Sequence, residues 1–328
     1  MAGFLALTEI GLLNIPDCNG IDFCEEVSVS NEIILPDSLV DNGFSLESHV
    51  FRYRSDRDFY VEENGQSICK NLIVEEMSKF RLWHSAVGAL NDPFEIYARR
   101  NLQEFQQMSE KQKLNLWVKV GTRLGYHALM ALSTKEILKG YEIDKERLEK
   151  TVYEATRDDS SFDSFITEIR ETLGIACFTS ICDSRLMWGY YCNGLAGVCL
   201  IYNRRLLASQ RVELNLVKYI DGPFELNILD FIYNYKDDVR AKTLSQIVKT
   251  KHLEWDHEVE SRSVVELRGD EIGIGRLIEM KCSCVEGVII GSKVRAEVRK
   301  EIERLGDKLG FKVFQASVDY QLFGVKIS

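Results

Sequence analysis

Two glutamates one residue apart, Glu258 and Glu260, stand just before a stretch that reads as a strand, and they are the residues best suited to chemistry. Side chains alternate along extended chain, so both carboxylates would leave one face about 6 to 7 Å apart. Carboxylates so placed repel and separate their pKa values, which suits general acid–base work or stabilisation of an oxocarbenium ion. The plainer expectation is a solvated strand edge on which Arg262 pairs on the same face. By the same alternation Arg52 and Arg54 share one face of an earlier strand, with Tyr53 between them. A guanidinium there either makes a surface ion pair or grips a diphosphate through its fork of donors. Thr179 and Ser180 end a compact apolar run. Their hydroxyls either orient a ligand or cap the following helix, a role also open to Asp183 and Ser184. Asn91-Asp92-Pro93-Phe94-Glu95 reads as a turn bonding its own backbone, or as a polar pocket wall near Trp83 and His84. Trp188, Tyr190 and Tyr191 either stack on a flat ring or belong to the core, the commoner fate of such aromatics. Of the five histidines, His257 abuts the glutamate pair.

These residues need elements to hold them. Apolar and aromatic residues alternate with arginines from His49 to Arg54, which predicts a half-buried strand, and Leu82 to Ser85 is a second. Roughly residues 96–173 read as mostly helical. Leu102, Phe105, Gln106 and Met108 fit one stripe, Leu114, Trp117, Val118 and Gly121 another, and Phe162, Phe165, Ile166, Ile169 and Leu173 a third, closed by Gly174. Strands are expected at Ile175 to Ser180, Gly197 to Tyr202 and Ser263 to Leu267, a helical turn at Arg185 to Trp188, and a helix around 229–253. At the C-terminus Val285 to Ile290 forms a strand. Val294, Val298, Ile302, Leu305 and Leu309 mark one helix face ended by Gly310, and Lys312 to Val318 returns extended. That is the pattern of a β-helix-β crossover. The fold class implied is α+β, with mixed small sheets forming one core and a helical insertion at about 96–173. Residues 1–48 are an extension with turns at Asn19-Gly20 and Asp41-Asn42-Gly43 and short strand candidates near Val27 and Val29 and at Ile33-Ile34-Leu35. Residues 49–328 form a single domain.

A 45% hydrophobic content with 28% charged residues predicts a globular core rather than disorder. The net charge of −10 argues against wholesale binding to nucleic acid. Nine scattered cysteines predict buried thiols in a reducing compartment rather than a disulfide framework. Cys282-Ser283-Cys284 lacks a second pair with zinc spacing, so a buried strand is the better expectation there than a metal site. The first ten residues lack a basic start, and no run of about 18 apolar residues occurs, so a cytoplasmic protein with no membrane segment is expected.

Several segments, in order, resemble a bacterial domain family of unknown function. They are Phe51-Arg52-Tyr53-Arg54, Asn91 to Glu95, Cys177-Phe178-Thr179, Met187-Trp188-Gly189-Tyr190, Gly197 to Tyr202, and Trp255 through Arg262. Family members often carry a histidine shortly before the glycine of the fifth segment, where this chain has Leu195. More distantly, arginine on an early strand, Thr-Ser ending a middle strand and Glu-x-Glu opening a late one look like the arginine–serine–glutamate arrangement of mono-ADP-ribosyltransferases. That resemblance implies NAD as substrate. Arg52, Arg54, Tyr53, Thr179, Tyr190 and Asp92 would hold the dinucleotide, Ser180 would support the site, Glu260 would be essential and Glu258 would position the acceptor. It also implies a bacterial toxin or phage-defence effector, and it requires Arg52, Ser180 and Glu260 to share one cleft. Two other classes stay open. One is a metal-dependent nuclease using Asp92, Glu95, Glu258 and Glu260 with Lys281 assisting. The other is a non-enzymatic sensor or partner-binding protein.

Overall fold

The structure, a computed structural model, describes residues 33–63, 65–123, 132–156, 159–227, 229 and 237–328. The turn expected at Asn19-Gly20 and the strands near Val27 and Val29 lie outside the described residues, while Ile33-Ile34-Leu35 forms no strand and leads through Pro36 into the short helix Asp37–Val40. The class is α+β, and the chain divides into two compact units. One comprises Phe94–Arg170 and Ile220–Thr250, and the other takes in residues 33–93, 171–219 and 251–328. The first unit corresponds to the helical middle expected from the sequence, joined by a second excursion of the chain.

The larger unit carries a ten-stranded sheet. Its strands are β1 (His49–Ser55), β2 (Arg81–Ala86), β3 (Leu173–Thr179), β4 (Gly197–Asn203), β5 (Asn215–Leu216), β6 (Glu260–Glu266), β7 (Gly275–Glu279), β8 (Val285–Gly291), β9 (Lys312–Asp319) and β10 (Gly324–Ile327). They follow the order β7-β2-β3-β1-β4-β8-β9-β10, while β6 pairs with β3 and β5. β8 and β9 are parallel, joined by the helix Ala296–Leu309, which is the crossover expected from the sequence. Gly310 ends that helix at φ 80°, a left-handed geometry that glycine takes without a Cβ penalty.

Alternation along the strands feeds two cores. Val50, Ala176, Phe178, Val198, Leu200, Tyr202, Val288 and Ile290 point toward the helices Leu72–Ser78 and Ala296–Leu309, meeting Ile73, Met77, Val298 and Ile302. Phe51, Tyr53, Cys199, Ile201, Ile289 and Phe314 point the other way, meeting Leu39, Met187 and Trp188. The first surface is called the helix face below, and the second the opposite face.

Gly174 does not end a helix. It lies in β3, where a Cβ would meet Leu267 Cδ2 at 2.8 Å and Val265 Cγ2 at 3.0 Å. Close packing, not capping, requires glycine there. Cys282 and Cys284 are in a bend before β8 rather than in a strand; Cys284 is buried and Cys282 exposed.

The smaller unit contains the helices Glu110–Arg123 and Thr134–Thr156 and most of Asp159–Thr172, with a parallel pair of short strands, Ala98–Arg100 and Phe224–Leu226. Phe105, Leu116, Tyr141, Leu148, Val152 and Leu229 form its core. No helix among the described residues is long and apolar enough to cross a membrane.

Candidate functional site

The glutamate pair is not in extended chain. Glu258 ends a 3-10 turn over Leu253–Glu258, Val259 follows at φ 42° and ψ 57°, and β6 starts at Glu260. A β-branched residue in the left-handed region is a backbone outlier, a kind of strain worth about 1–3 kcal/mol that concentrates at functional sites. Neighbouring bonds hold it. Val259 N–H donates to Asp256 O (3.1 Å), Ser180 N–H to Val259 O (3.3 Å), and the Thr179 hydroxyl to Glu258 O (2.5 Å). The turn therefore ties the end of β3 to the start of β6. Ser180 contributes its backbone, Thr179 its hydroxyl, and the cap of the helix Arg185–Tyr191 is Ser184.

This kink aims both carboxylates at one ammonium group. Lys251 Nζ is 2.5 Å from Glu258 Oε2 and 3.0 Å from Glu260 Oε2. Arg262 closes on Glu260 from the other side, with Nε 2.8 Å from Oε1 and Nη2 3.0 Å from Oε2. The Tyr191 hydroxyl donates to Glu258 Oε1, and Tyr219 OH accepts from Glu260 N–H at 2.8 Å. Lys251, Glu258, Glu260 and Arg262 are at most 7% exposed. The solvated strand edge is thereby overturned, while Arg262 does pair with Glu260. Two positive and two negative side chains balance, which is how charge is tolerated away from water. Burial on its own would raise the Glu260 carboxyl, but Arg262 and Lys251 overcome it and hold the group at about 2. Burial pushes the Tyr191 and Tyr219 phenols up, the nearby Glu258 adding to the rise at Tyr191, and burial likewise raises the Cys177 thiol beside Glu260.

Beside the cluster the chain is partly open. Lys251 Nζ stands 4.8 Å from the centre of the Trp255 ring, which meets Tyr190 edge-on at 6.4 Å and stacks on His257 at 6.1 Å. Tyr190 is 58% exposed, so it is the aromatic free to meet a ligand. Trp188 is core, as expected of most such aromatics, and Tyr53 packs edge-on against it at 5.3 Å.

Arg52 and Arg54 are elsewhere. Thr179 pairs with Phe51 on one side and Glu260 on the other, so Glu260 projects from the opposite face with Thr179. Arg52 lies one residue on, and its guanidinium covers the Phe178 ring on the helix face at 5.6 Å. Arg52 and Glu260 thus leave the sheet in opposite directions, and the single cleft joining Arg52, Ser180 and Glu260 is not formed. Nor do the arginines make a surface ion pair. Arg54 Nη2 meets Glu76 Oε2 at 2.9 Å, and Arg52 Nη2 donates to Trp83 O at 2.7 Å, in a buried group.

Asp92 is buried at the end of one segment of the larger unit, whereas Glu95 belongs to the smaller unit. Lys251 occupies the point between Glu258 and Glu260 where a bridging cation would bind. Among the described residues no group of three His, Cys, Asp or Glu side chains is disposed to hold a metal ion.

Sequence reasoning missed Lys251, Tyr191's bond to Glu258, and Tyr219. Glu76, the partner of the arginines, did leave a signal: it falls beside Met77 and three residues after Ile73, on the apolar stripe of a short helix. Fold and site together define an α+β protein with a buried, charge-balanced dicarboxylate cluster next to an open aromatic surface. No family model, curated protein or solved structure matches this chain.

Proposed function

We propose that the chain is an NAD-consuming transferase working at Glu258 and Glu260, and not through the arginine–serine–glutamate cleft of mono-ADP-ribosyltransferases, because Arg52 and Glu260 leave opposite faces of the sheet. The observation that carries this reading is a glutamate kept ionised in a buried site, one strained residue away from a second glutamate. When the bond between ribose C1′ and the nicotinamide nitrogen breaks, its electron pair leaves with nicotinamide and positive charge grows on the ribose. A fixed carboxylate stabilises charge that exists mainly in that transition state. With a pKa of about 2, Glu260 suits this electrostatic role and not that of a proton donor. Glu258, held by Tyr191 and Lys251, is placed to orient the acceptor nucleophile, which loses its proton as the new C1′ bond forms. Tyr190 offers an exposed ring face for stacking. Arg52 and Arg54 have no part in this reading, because they serve the other face of the sheet.

A second reading draws on a specific observation. All four oxygens of Glu258 and Glu260 already have partners within the fold, as a purely structural cluster in a partner-binding protein would have. The two readings separate when purified protein is incubated with NAD, with and without EDTA. Release of nicotinamide that is insensitive to EDTA and reduced by Tyr190→Ala supports the transferase. Absence of turnover in folded protein supplied with candidate protein and nucleic-acid acceptors removes it.

A further inference from the structure

Where the turn after Phe44 enters β1, the side chains of Ser48 and His49 form a hydrogen-bonded relay to Glu286. The Ser48 hydroxyl lies 2.8 Å from His49 Nδ1, and His49 Nε2 lies 2.8 Å from Glu286 Oε2. Ser45 N–H also donates to Nδ1, at 3.2 Å, so Nδ1 carries the lone pair. In a neutral imidazole Nε2 then bears the proton and donates it to Glu286, because one ring nitrogen's partner sets the state of the other. This is the tautomer in which Nδ1 can take the Ser48 proton. The Glu286 carboxylate is itself fixed, since Asn203 Nδ2 donates to its Oε1 at 3.0 Å.

Three features of the fold hold this group together. Glu286 sits at a β-bulge, where the register of β8 on β4 shifts between Val285 and Gly287. Bulges re-aim side chains and concentrate beside active sites, and here the carboxylate reaches past β4 to a residue on β1. Gly287 leaves room for Phe44, whose Cζ a Cβ would meet at 3.0 Å, and Phe44 packs edge-on against the His49 ring at 4.8 Å. Arg204 braces the turn, its backbone N–H donating to Ser48 O at 2.8 Å and its Nε to His49 O at 3.1 Å. The His49 side chain is 6% exposed while Ser48 is half-buried, so the base is shielded and the hydroxyl can be approached.

We propose that Ser48 is an activated nucleophile that takes an acyl group from a carboxylic ester, with His49 as general base and Glu286 as its positioning residue. As Ser48 Oγ bonds to the carbonyl carbon, its proton passes to His49 Nδ1. The ester C–O bond then breaks, and the leaving alkoxide takes that proton away as an alcohol. Water, deprotonated by His49 in the same way, displaces Ser48 Oγ, which recovers the proton, and a carboxylic acid leaves. Nucleophile, base and orienting carboxylate, each within hydrogen-bond reach of the next, carry this inference. None of these residues belongs to the Glu258–Glu260 cluster and no step uses NAD, so either proposal stands or falls alone.

The test treats the full chain with a fluorophosphonate reagent, which labels activated serines, and with p-nitrophenyl acetate. Wild type should be labelled at Ser48, located by mass spectrometry, and should release nitrophenol, and Ser48→Ala should lose both. The fold is expected to tolerate that change, since Ser48 ties the turn to Arg204 through its backbone carbonyl. Glu286→Gln keeps an oxygen for His49 Nε2 but no charge. It should lower kcat for the ester at least about tenfold with KM unchanged, which loss of a purely structural tie would not do. Label on another residue overturns the proposal, as does Ser48 labelled no faster than in the urea-unfolded chain, a comparison that needs no variant. So does ester cleavage that is unchanged in Ser48→Ala.

Discussion

Replacing Arg262 by Met tests what keeps Glu260 ionised. Arg262 is fully buried and makes two hydrogen bonds to Glu260, while methionine approximates its aliphatic stem without the charge. Glu260 is held at about 2 against an ordinary value of 4.5, and that gap corresponds to about 3 kcal/mol of stability. Because the folded value is the lower one, this stability is complete above about pH 4.5 and is lost as the pH falls toward 2. In Arg262→Met Lys251 is the cation left against the buried carboxylate among the described residues, with the Cys177 thiol as its other side-chain partner, and breaking a buried pair from one side costs about 3–5 kcal/mol. Urea unfolding at pH 7, 5, 4 and 3 reads both effects. The variant's deficit should be largest at pH 7 and shrink with acidification, because protonating Glu260 removes what Arg262 was holding. A deficit below about 1 kcal/mol at pH 7, or one constant down to pH 3, refutes the electrostatic account and leaves Arg262 a packing residue.

Tyr191→Phe removes the phenol that donates to Glu258 and should cost about 1.5–3 kcal/mol in urea unfolding, the range for hydrogen bonds to charged groups. Gly291→Ala would set a Cβ 2.2 Å from Leu195 O, so the chain is expected to express poorly or melt well below wild type in a thermal scan. Ile302→Ala, at a fully buried position in the crossover helix, should lower stability by about 2–5 kcal/mol at unchanged m-value.

Much of the scaffold was legible because its signals are local. The alternation through Val50, Arg52 and Arg54 gives β1, and the stripe from Val298 through Leu305 with Gly310 after it gives the crossover helix and its stop. Gly174 misled because a glycine following an apolar stripe reads as a cap, and only the later strand residues Val265 and Leu267 reveal the crowding that demands it. Glu258 and Glu260 do share a site, but for another reason than expected. Val259 adopts a left-handed turn that extended periodicity excludes, and the carboxylates converge on a lysine seven residues earlier than the first of them. The faces of Arg52 and Glu260 depend on register across three strands far apart in sequence, which no local pattern carries. Tyr191, marked in the sequence only as a stacking or core aromatic, and Tyr219 reach the site from two further segments, and nothing in their own neighbourhoods shows the bonds they make there.

The most direct test of the central claim is nicotinamide release from NAD by wild type and Glu260→Gln, expressed per folded molecule after each has been checked by circular dichroism and urea unfolding. Wild type should release nicotinamide measurably, and a Glu260→Gln variant that remains folded should lose at least about a hundredfold of that rate, of the order seen when one preorganised electrostatic group is removed from a site. Release by folded Glu260→Gln at the wild-type rate would contradict it and leave the dicarboxylate cluster a structural feature of the sheet.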